Sequence, residues 1–399
     1  MRNLVVVGAS LAGLRAVEGA RKAGFDGRIT LVGAEEHLPY DRPPLSKSYL
    51  DDTEPEATIF RSEDVLRDEL GVDLRLGAPA TGLDTAAKNV RVGDSNVEYD
   101  ALVIATGATA RTLPTDVAGV HTLRTLDDAI AVRAALDAGA RTVVIGAGFI
   151  GSEVASGASK RGVDVTVIEA LPTPLVRAVG EVMGRACAAL HRRNGTDLRC
   201  GVGVAALKGI GGVKRVLLTD GNTIDADLVV VGIGAVPATG WLEDSGLRLD
   251  NGVVCDEYLS TGVEGVYAAG DVARWHNPLF DRPMRLEHWT SAAEQGAAAA
   301  RNALDPASAK PYLTVPYFWS DWYDSRIQFV GVPATDEIQV VEGDPEAGGR
   351  MVALYREGDR LVGALTVNGQ NVIMKYRGLI MKRTSWTDAL AFAESRKAA

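Results

Sequence analysis

Apolar positions in the chain twice follow the same order of strand, glycine turn, helix and strand. Leu4 to Val7 is an unbroken, largely β-branched run with the length of a buried strand. It leads straight into Gly8-Ala9-Ser10-Leu11-Ala12-Gly13, and a helix-period stretch follows to about Ala23. Gly24 stops that helix, and a second apolar run, Ile29 to Val32, is followed by Ala34 and Glu35. The order returns at Thr142 to Ile145, then Gly146-Ala147-Gly148-Phe149-Ile150-Gly151, a helix to Arg161, a break at Gly162, and a strand from Val165 to Ile168 that ends at Glu169. The first copy departs from GxGxxG only at Ser10, where a glycine ordinarily lets a bound group approach the backbone; the second copy is complete.

Between and after these copies the pattern changes. His37 to Lys47 carries three prolines and no period, so it reads as a stiff loop leading into a short helix. Arg42 and Lys47 are then either solvated cations on a structural turn or two cations held rigidly beside a ligand. A short helix is expected from Ser62 to Glu69 and a strand from Val72 to Leu76. Asn89 to Val92 alternates as a strand, and Tyr99 to Ile104 runs into Ala105-Thr106-Gly107, small residues under which a bound group can pass closely. Arg111 to Pro114 reads as a linker. Further on, 182–193 is expected as a helix and 213–218 and 223–231 as strands, with Gly232-Ile233-Gly234 as a flexible closing turn. A strand ends in Ala269-Gly270-Asp271, and an alanine-rich helix spans Ser291 to Leu304. From Pro311 aromatics cluster (Tyr317 to Tyr323), short alternating strands follow at 327–332, 338–341, 350–356 and 360–366, and a helical tail begins near Val372. That cluster is either core or the lining of a site.

The two glycine turns carry chemistry. A glycine directly after a strand permits the tight turn, a second lets helix and strand approach, and the helix start offers unpaired N–H groups to a pyrophosphate. Two copies in register point to two bound dinucleotides. The carboxylate at Glu169 suits both ribose hydroxyls of NAD and would repel the 2′-phosphate of NADP. The expected fold class is α/β, with two Rossmann-like dinucleotide-binding domains and a C-terminal α+β domain.

Composition limits the rest. At 399 residues the chain exceeds one core. No apolar run reaches the length of a membrane span, and the N-terminal residues lack the basic, apolar, small-residue order of an export signal, so a cytoplasmic protein without membrane association is expected. The net charge of −10 argues against nucleic acid. Cys187, Cys200 and Cys255 are scattered, which excludes a CxxC redox pair and a zinc site, and no metal is expected.

The ordered motifs GASLAG, LPYDRPPLSK, ATGA, LRTLDDA, GAGFIGSE, GVYAAGD, RLEHW and PYFWSDWYD resemble the FAD-dependent NADH:ferredoxin reductases of bacterial oxygenase systems. The resemblance spans the chain and implies a glutathione-reductase-like arrangement: a discontinuous FAD domain (1–111 and 238–310), an NAD domain (112–237) and a C-terminal interface domain (311–399). By the same resemblance Gly8, Ser10, Ala12, Gly13, Glu35, Arg42, Lys47, Ala80, Ala105, Thr106, Gly107, Arg124 and Asp271 belong to the FAD site, with His288, Trp289 and Trp319 bordering the ring. Gly146, Gly148, Phe149, Ile150, Gly151, Glu153, Glu169, Gly232, Ile233 and Gly234 belong to the NAD site. Lys47 and Glu153 are the implied catalytic pair. Where relatives often place the ribose acid directly after the strand's glycine, this chain has Ala34, so Glu35 must serve.

The implied reaction passes electrons from NADH through FAD, one at a time, to an acidic iron–sulfur ferredoxin, from a monomer or weak dimer. The ferredoxin is expected to dock near the flavin edge and the C-terminal domain. From Asn371 to Ala399, six cations (Lys375, Arg377, Lys382, Arg383, Arg396, Lys397) face two acids (Asp388, Glu394), a net of +4. That segment is either a docking patch or a solvated helix face. The alternatives are a rubredoxin reductase, an NADH oxidase or peroxidase, and an NADH-sensing flavoprotein like apoptosis-inducing factor. A loop cysteine would favour the oxidase, and Leu45-Ser46-Lys47 stands where it would be.

Overall fold

The computed structural model describes residues 2–51, 58–333, 335–345 and 349–397. The side chain of Lys397, part of the basic count, and residues 398 and 399 lie outside the described residues. The chain divides into two compact units, one of Met1–Asp41, Thr58–Thr109 and Ala235–Thr314, the other of Arg42–Ala57, Ala110–Gly234 and Val315–Ala399.

The first unit is built on a five-stranded, all-parallel sheet in the order Val266–Ala268, Ala101–Ile104, Asn3–Val7, Arg28–Val32, Val72–Arg75. Its central strands are buried and apolar from Leu4 to Val7 and from Ala101 to Ile104, as parallel strands covered on both faces must be. Register settles what gathers at the carboxyl edge. Val7 lies opposite both Val32 and Ile104, and Ile104 opposite Ala268. The segments that follow these strands, starting at Gly8, Gly33, Ala105 and Ala269, therefore emerge side by side. Helix Leu11–Lys22 lies along helix Trp289–Leu304 at very short range: a Cβ on Gly296 would come 2.1 Å from the carbonyl oxygen of Ala12. Two three-stranded sheets, Ala80–Asp84 with Asn89–Val92 and Ser95–Glu98, and Val253–Cys255 with Ala273–Asn277 and Arg282–Met284, also belong to this unit.

The second unit repeats the parallel sheet in the order Asp197–Cys200, Val165–Glu169, Thr142–Ile145, Leu228–Val231, Val120–His121. Ile145 lies opposite Ile168 and Val231, which brings Gly146, Glu169 and Gly232 to one edge. The strand expected over 223–231 is two: Thr223–Asp225 joins an antiparallel sheet with Arg215–Leu218 and Val204–Lys208, while Leu228–Val231 enters the parallel sheet. The chain changes sheet at Ala226 and Asp227, where the N–H of Asp227 donates to the carbonyl of Arg141 (2.9 Å). The helix expected from 182 begins at Val176 and bends at Gly180, whose φ of 79° no regular helix holds. A separate antiparallel sheet, Tyr317–Trp322, Ser325–Gly331, Arg360–Val367, Met351–Glu357 and Glu337–Glu342, carries two helices, Gln370–Met381 and Trp386–Lys397. The helical tail is thus split near Arg383, whose φ is 55°. Among the described residues no helix is long and apolar enough to cross a membrane.

Candidate functional site

The first glycine turn is dictated by backbone crowding. Gly8 has φ 120°, and a Cβ there would fall 2.1 Å from the carbonyl oxygen of Ala105; one on Gly13 would fall 1.8 Å from the oxygen of Gly8. Ser10 stands at the start of helix Leu11–Lys22 in extended conformation, and that helix has no side-chain cap and no acid in its first turn among the described residues. Ala12 is buried against Gly270, at which a Cβ would lie 3.0 Å from that of Ala12. Asp271 follows in a short 3-10 turn held by Gln295 Oε1, which accepts from the Gly270 N–H (2.8 Å), and by Arg285, which donates to the Asp271 carbonyl (3.1 Å). Thr106 donates its hydroxyl to Ala238 O (2.9 Å), and the Gly107 carbonyl accepts from the Ala238 N–H (2.9 Å). Glu35 accepts from the Tyr40 hydroxyl at 2.6 Å.

These residues share one sheet edge. His288 immediately precedes helix Trp289–Leu304, and the indole of Trp289 donates to Asp41 (2.8 Å). Ala80 lies apart, on the first strand of a separate small sheet.

The second turn repeats the crowding. Gly146 has φ 101°, a Cβ there would sit 2.4 Å from Gly232 O, and one on Gly151 would sit 2.1 Å from Gly146 O. Gly148 precedes helix Phe149–Lys160, again with no side-chain cap and no first-turn acid among the described residues. Phe149 rests on Phe318, ring centroids 4.6 Å apart, and Ile150 is exposed. The Glu169 carboxylate accepts from Ala147 N–H and Leu171 N–H, both at 2.8 Å, which aims it at the turn. Ile233 follows Gly232, and the Gly234 carbonyl accepts from Arg111 N–H (2.9 Å).

Both cradles fit a dinucleotide phosphate. In each, a glycine with positive φ turns the chain into a helix whose first N–H groups and positive dipole end are left to an anion.

A charged cluster lies within the second unit. Glu153, on helix Phe149–Lys160, is buried, and Lys47 Nζ lies 2.9 Å from its Oε1. The hydroxyl of Ser46 donates to Oε2 and that of Ser320 to Oε1. The indole N–H of Trp322 donates to Ser320 Oγ at 2.8 Å. Three donors from two segments distant in the chain, Ser46-Lys47 and Ser320, therefore converge on one carboxylate, which offsets the desolvation cost of burying it. Prolines 43 and 44 fix the 3-10 turn that carries Ser46, and Lys47 Nζ also donates to Pro43 O (3.3 Å). Arg42 donates to Arg124 O (2.6 Å), just ahead of the Thr125–Asp128 capping box of helix Leu126–Asp137. Trp319 alternates to the opposite face of its strand from Ser320, stacks on Tyr317 with centroids 5.8 Å apart, and lies under the Arg326 guanidinium.

Next to Glu153 in sequence, Ser152 reaches His191 Nε2 at 3.1 Å, and His191 Nδ1 reaches the Tyr323 hydroxyl at 2.7 Å. Tyr323 in turn donates to Thr196 (2.7 Å). A neutral imidazole with its proton on Nδ1 satisfies the whole series, and burial pushes the His191 pKa down to about 4.

Sequence reading missed Ser46, Ser152, His191, Ser320 and Tyr323. Ser320 had one legible signal: a small hydroxyl inside a run of aromatics.

The three cysteines are free. Burial pushes the Cys187 thiol up to about 12 and the thiols of Cys200 and Cys255 upward as well.

A sequence profile of the pyridine nucleotide-disulphide oxidoreductase family matches residues 2–296, and one described as "Reductase C-terminal" matches residues 317–397. Rhodocoxin reductase of Rhodococcus erythropolis is 38% identical over 372 residues, covering 92% of this chain and 86% of that protein. The ferredoxin–NAD(+) reductase component of the anthranilate 1,2-dioxygenase system of Burkholderia cepacia is 38% identical over 368 residues, with coverages of 91% and 90%. The crystal structure of the covalent putidaredoxin reductase–putidaredoxin complex superposes with TM-score 0.90 at 32% identity, covering all of this chain and 99% of that one. These similarities bear out the resemblance read from the ordered motifs. The chain belongs to the pyridine nucleotide-disulphide oxidoreductase family, in a form that carries the reductase C-terminal domain.

Proposed function

We propose that this protein takes electrons from NADH and passes them, through bound FAD, singly to a ferredoxin that serves an oxygenase. The observation that carries this reading is the combination of two dinucleotide cradles with a buried Lys47–Glu153 pair and three cysteines that are unpaired and held as thiols. Bound FAD supplies the conversion between two-electron and one-electron transfer. The family's cofactors, FAD and NAD(H), match what the two turns can hold.

In this reading Gly8, Ser10, Ala12 and Gly13 bind the FAD pyrophosphate with backbone N–H groups, Glu35 and Asp271 fix its hydroxyls, and Ala105 to Gly107 leave room beneath it. Ala80, Arg42 and Arg124 border the cofactor, and His288, Trp289 and Trp319 enclose its ring. Gly146, Gly148, Phe149, Ile150 and Gly151 form the NAD cradle, with Gly232 to Gly234 facing it. The Glu169 carboxylate selects ribose hydroxyls over a 2′-phosphate. Lys47 holds a positive charge where negative charge develops, and Glu153 orients that ammonium. An FAD domain of 1–111 and 238–310, an NAD domain of 112–237 and an interface domain from 311 are the functional divisions that accompany these roles.

A cysteine-dependent oxidase or peroxidase needs a thiolate, and burial works against one at each of the three positions. For the partner, the exposed side of helix Gln370–Met381 carries Met374, Lys375 and Met381, with Lys382 and Arg383 directly after its end. An apolar centre with basic neighbours suits an acidic iron–sulfur protein despite the net charge of −10. NADH-driven cytochrome c reduction with a panel of ferredoxins tests the function. Dependence on one ferredoxin supports it; equal turnover without any ferredoxin refutes it.

A further inference from the structure

Residues Tyr317–Trp322 and Ser325–Gly331 form a hairpin whose turn grips one face of helix Phe149–Lys160. Ser320 reaches Glu153, and the Tyr323 N–H donates to Ser156 Oγ at 2.6 Å, three residues along the same helix face. Tyr323, with φ 58°, also turns its hydroxyl onto His191 and Thr196. The hairpin is itself fixed in register: Ser320 lies opposite Ile327, and Ile327 opposite Val367. Ser320 is therefore delivered to the helix by a rigid sheet.

The orientation of its hydroxyl is also determined. Ser320 is fully buried, and its oxygen accepts from the Trp322 indole, so its own proton is left for Glu153. An ionised carboxylate offers about four acceptor positions. On Glu153 the Oε1 atom is shared between Ser320 and Lys47, and Oε2 takes Ser46. Without the Ser320 hydroxyl, a buried lone pair of Oε1 is left for which the Lys47 ammonium is the remaining donor. The pair would tighten, and Glu153 would neutralise more of the Lys47 charge.

We infer that Ser320 is a positioning residue: its hydroxyl shares Glu153 Oε1 with Lys47 and so sets how much of the Lys47 charge remains for reduction of the cofactor. This rests on the reading above, in which NADH reduces a flavin beside Lys47.

The test compares FAD-loaded wild type with Ser320→Ala, Ser320→Thr and Tyr323→Phe. Two quantities are read: the flavin midpoint potential by equilibration with redox dyes, and the limiting rate and NADH affinity of anaerobic flavin reduction. Ser320→Ala is expected to move the potential to a more negative value and to slow reduction about tenfold, with NADH affinity within about twofold. Ser320→Thr, which keeps the hydroxyl, restores both. Tyr323→Phe cuts the hairpin's tie to His191 without touching Glu153, and should keep the wild-type potential and rate. If Ser320→Ala does not fold, Trp322→Phe frees the hydroxyl to rotate and should shift the potential the same way by less. An unchanged potential in Ser320→Ala, a threonine variant as impaired as alanine, or an equal loss in Tyr323→Phe overturns the inference. The dye potential needs no NADH, so a wild type that NADH fails to reduce refutes the proposed function while Ser320 is still tested.

Discussion

Lys47 and Glu153 come from a proline-stiffened loop and the helix after the second glycine turn, and their charges meet at 2.9 Å with Glu153 almost completely buried. Removing one partner of such a pair strands the other, which costs about 3–5 kcal/mol. Lys47→Met should therefore lose stability, while the double variant Lys47→Met/Glu153→Gln regains most of it because Ser46 and Ser320 can still bond the amide. Both should reduce flavin about a hundredfold more slowly than wild type, with FAD content unchanged. Denaturation midpoints and stopped-flow rates measured together separate the two effects. A Lys47→Met variant reduced at the wild-type rate would remove Lys47 from the chemistry.

The two cradles should fail independently. A Cβ at Gly151 would collide with Gly146 O at 2.1 Å, so Gly151→Ala should retain FAD and its absorbance yet lose reduction by NADH. A Cβ at Gly13 would collide with Gly8 O at 1.8 Å, so Gly13→Ala should be purified without flavin. If both variants lost FAD equally, the assignment of one turn to each nucleotide would be wrong.

Glu169 carries the choice between nucleotides. Glu169→Gln keeps an acceptor for one of the Ala147 and Leu171 N–H groups, turns its NH2 toward the other, and gives up the charge. NADH should bind several-fold more weakly and NADPH several-fold better, with the rate at saturating NADH nearly unchanged. An unaltered ratio of the two affinities would place selectivity elsewhere.

His191 predicts a pH dependence of stability. Its folded pKa is depressed to about 4 from 6.5, so the unfolded chain binds the proton more readily. The contribution is fully present above pH 6.5 and is lost as pH falls through that value toward 4. A shift of this size corresponds to about 3 kcal/mol. Other groups also titrate here, so the observable is the difference from His191→Gln, whose stability should fall less between pH 6.5 and 4. Parallel curves would mean that the imidazole is not held neutral.

Much of this architecture was legible because parallel strands buried on both faces must be continuously apolar, and because a glycine turn at the end of such a strand has few sequence solutions. Leu4 to Gly13 and Thr142 to Gly151 met both conditions. The run 223–231 did not reveal its division, since Asp225 to Asp227 alternate like a strand while the backbone leaves one sheet for another. The start of the helix at Val176 was hidden by the bend at Gly180. Ser46 and Ser320 were out of reach for a different reason. Their partner is a carboxylate far away in the chain, and neither spacing nor periodicity carries that contact.

Electron delivery to a protein partner is tested most directly by reducing the FAD-loaded protein with NADH under anaerobic conditions and mixing it rapidly with oxidised ferredoxin. One ferredoxin of a panel should be reduced at a rate that falls as salt is raised, with the flavin reoxidised in step and no oxygen required. Flavin that stays reduced in the presence of every ferredoxin, and is reoxidised only when air is admitted, would contradict it.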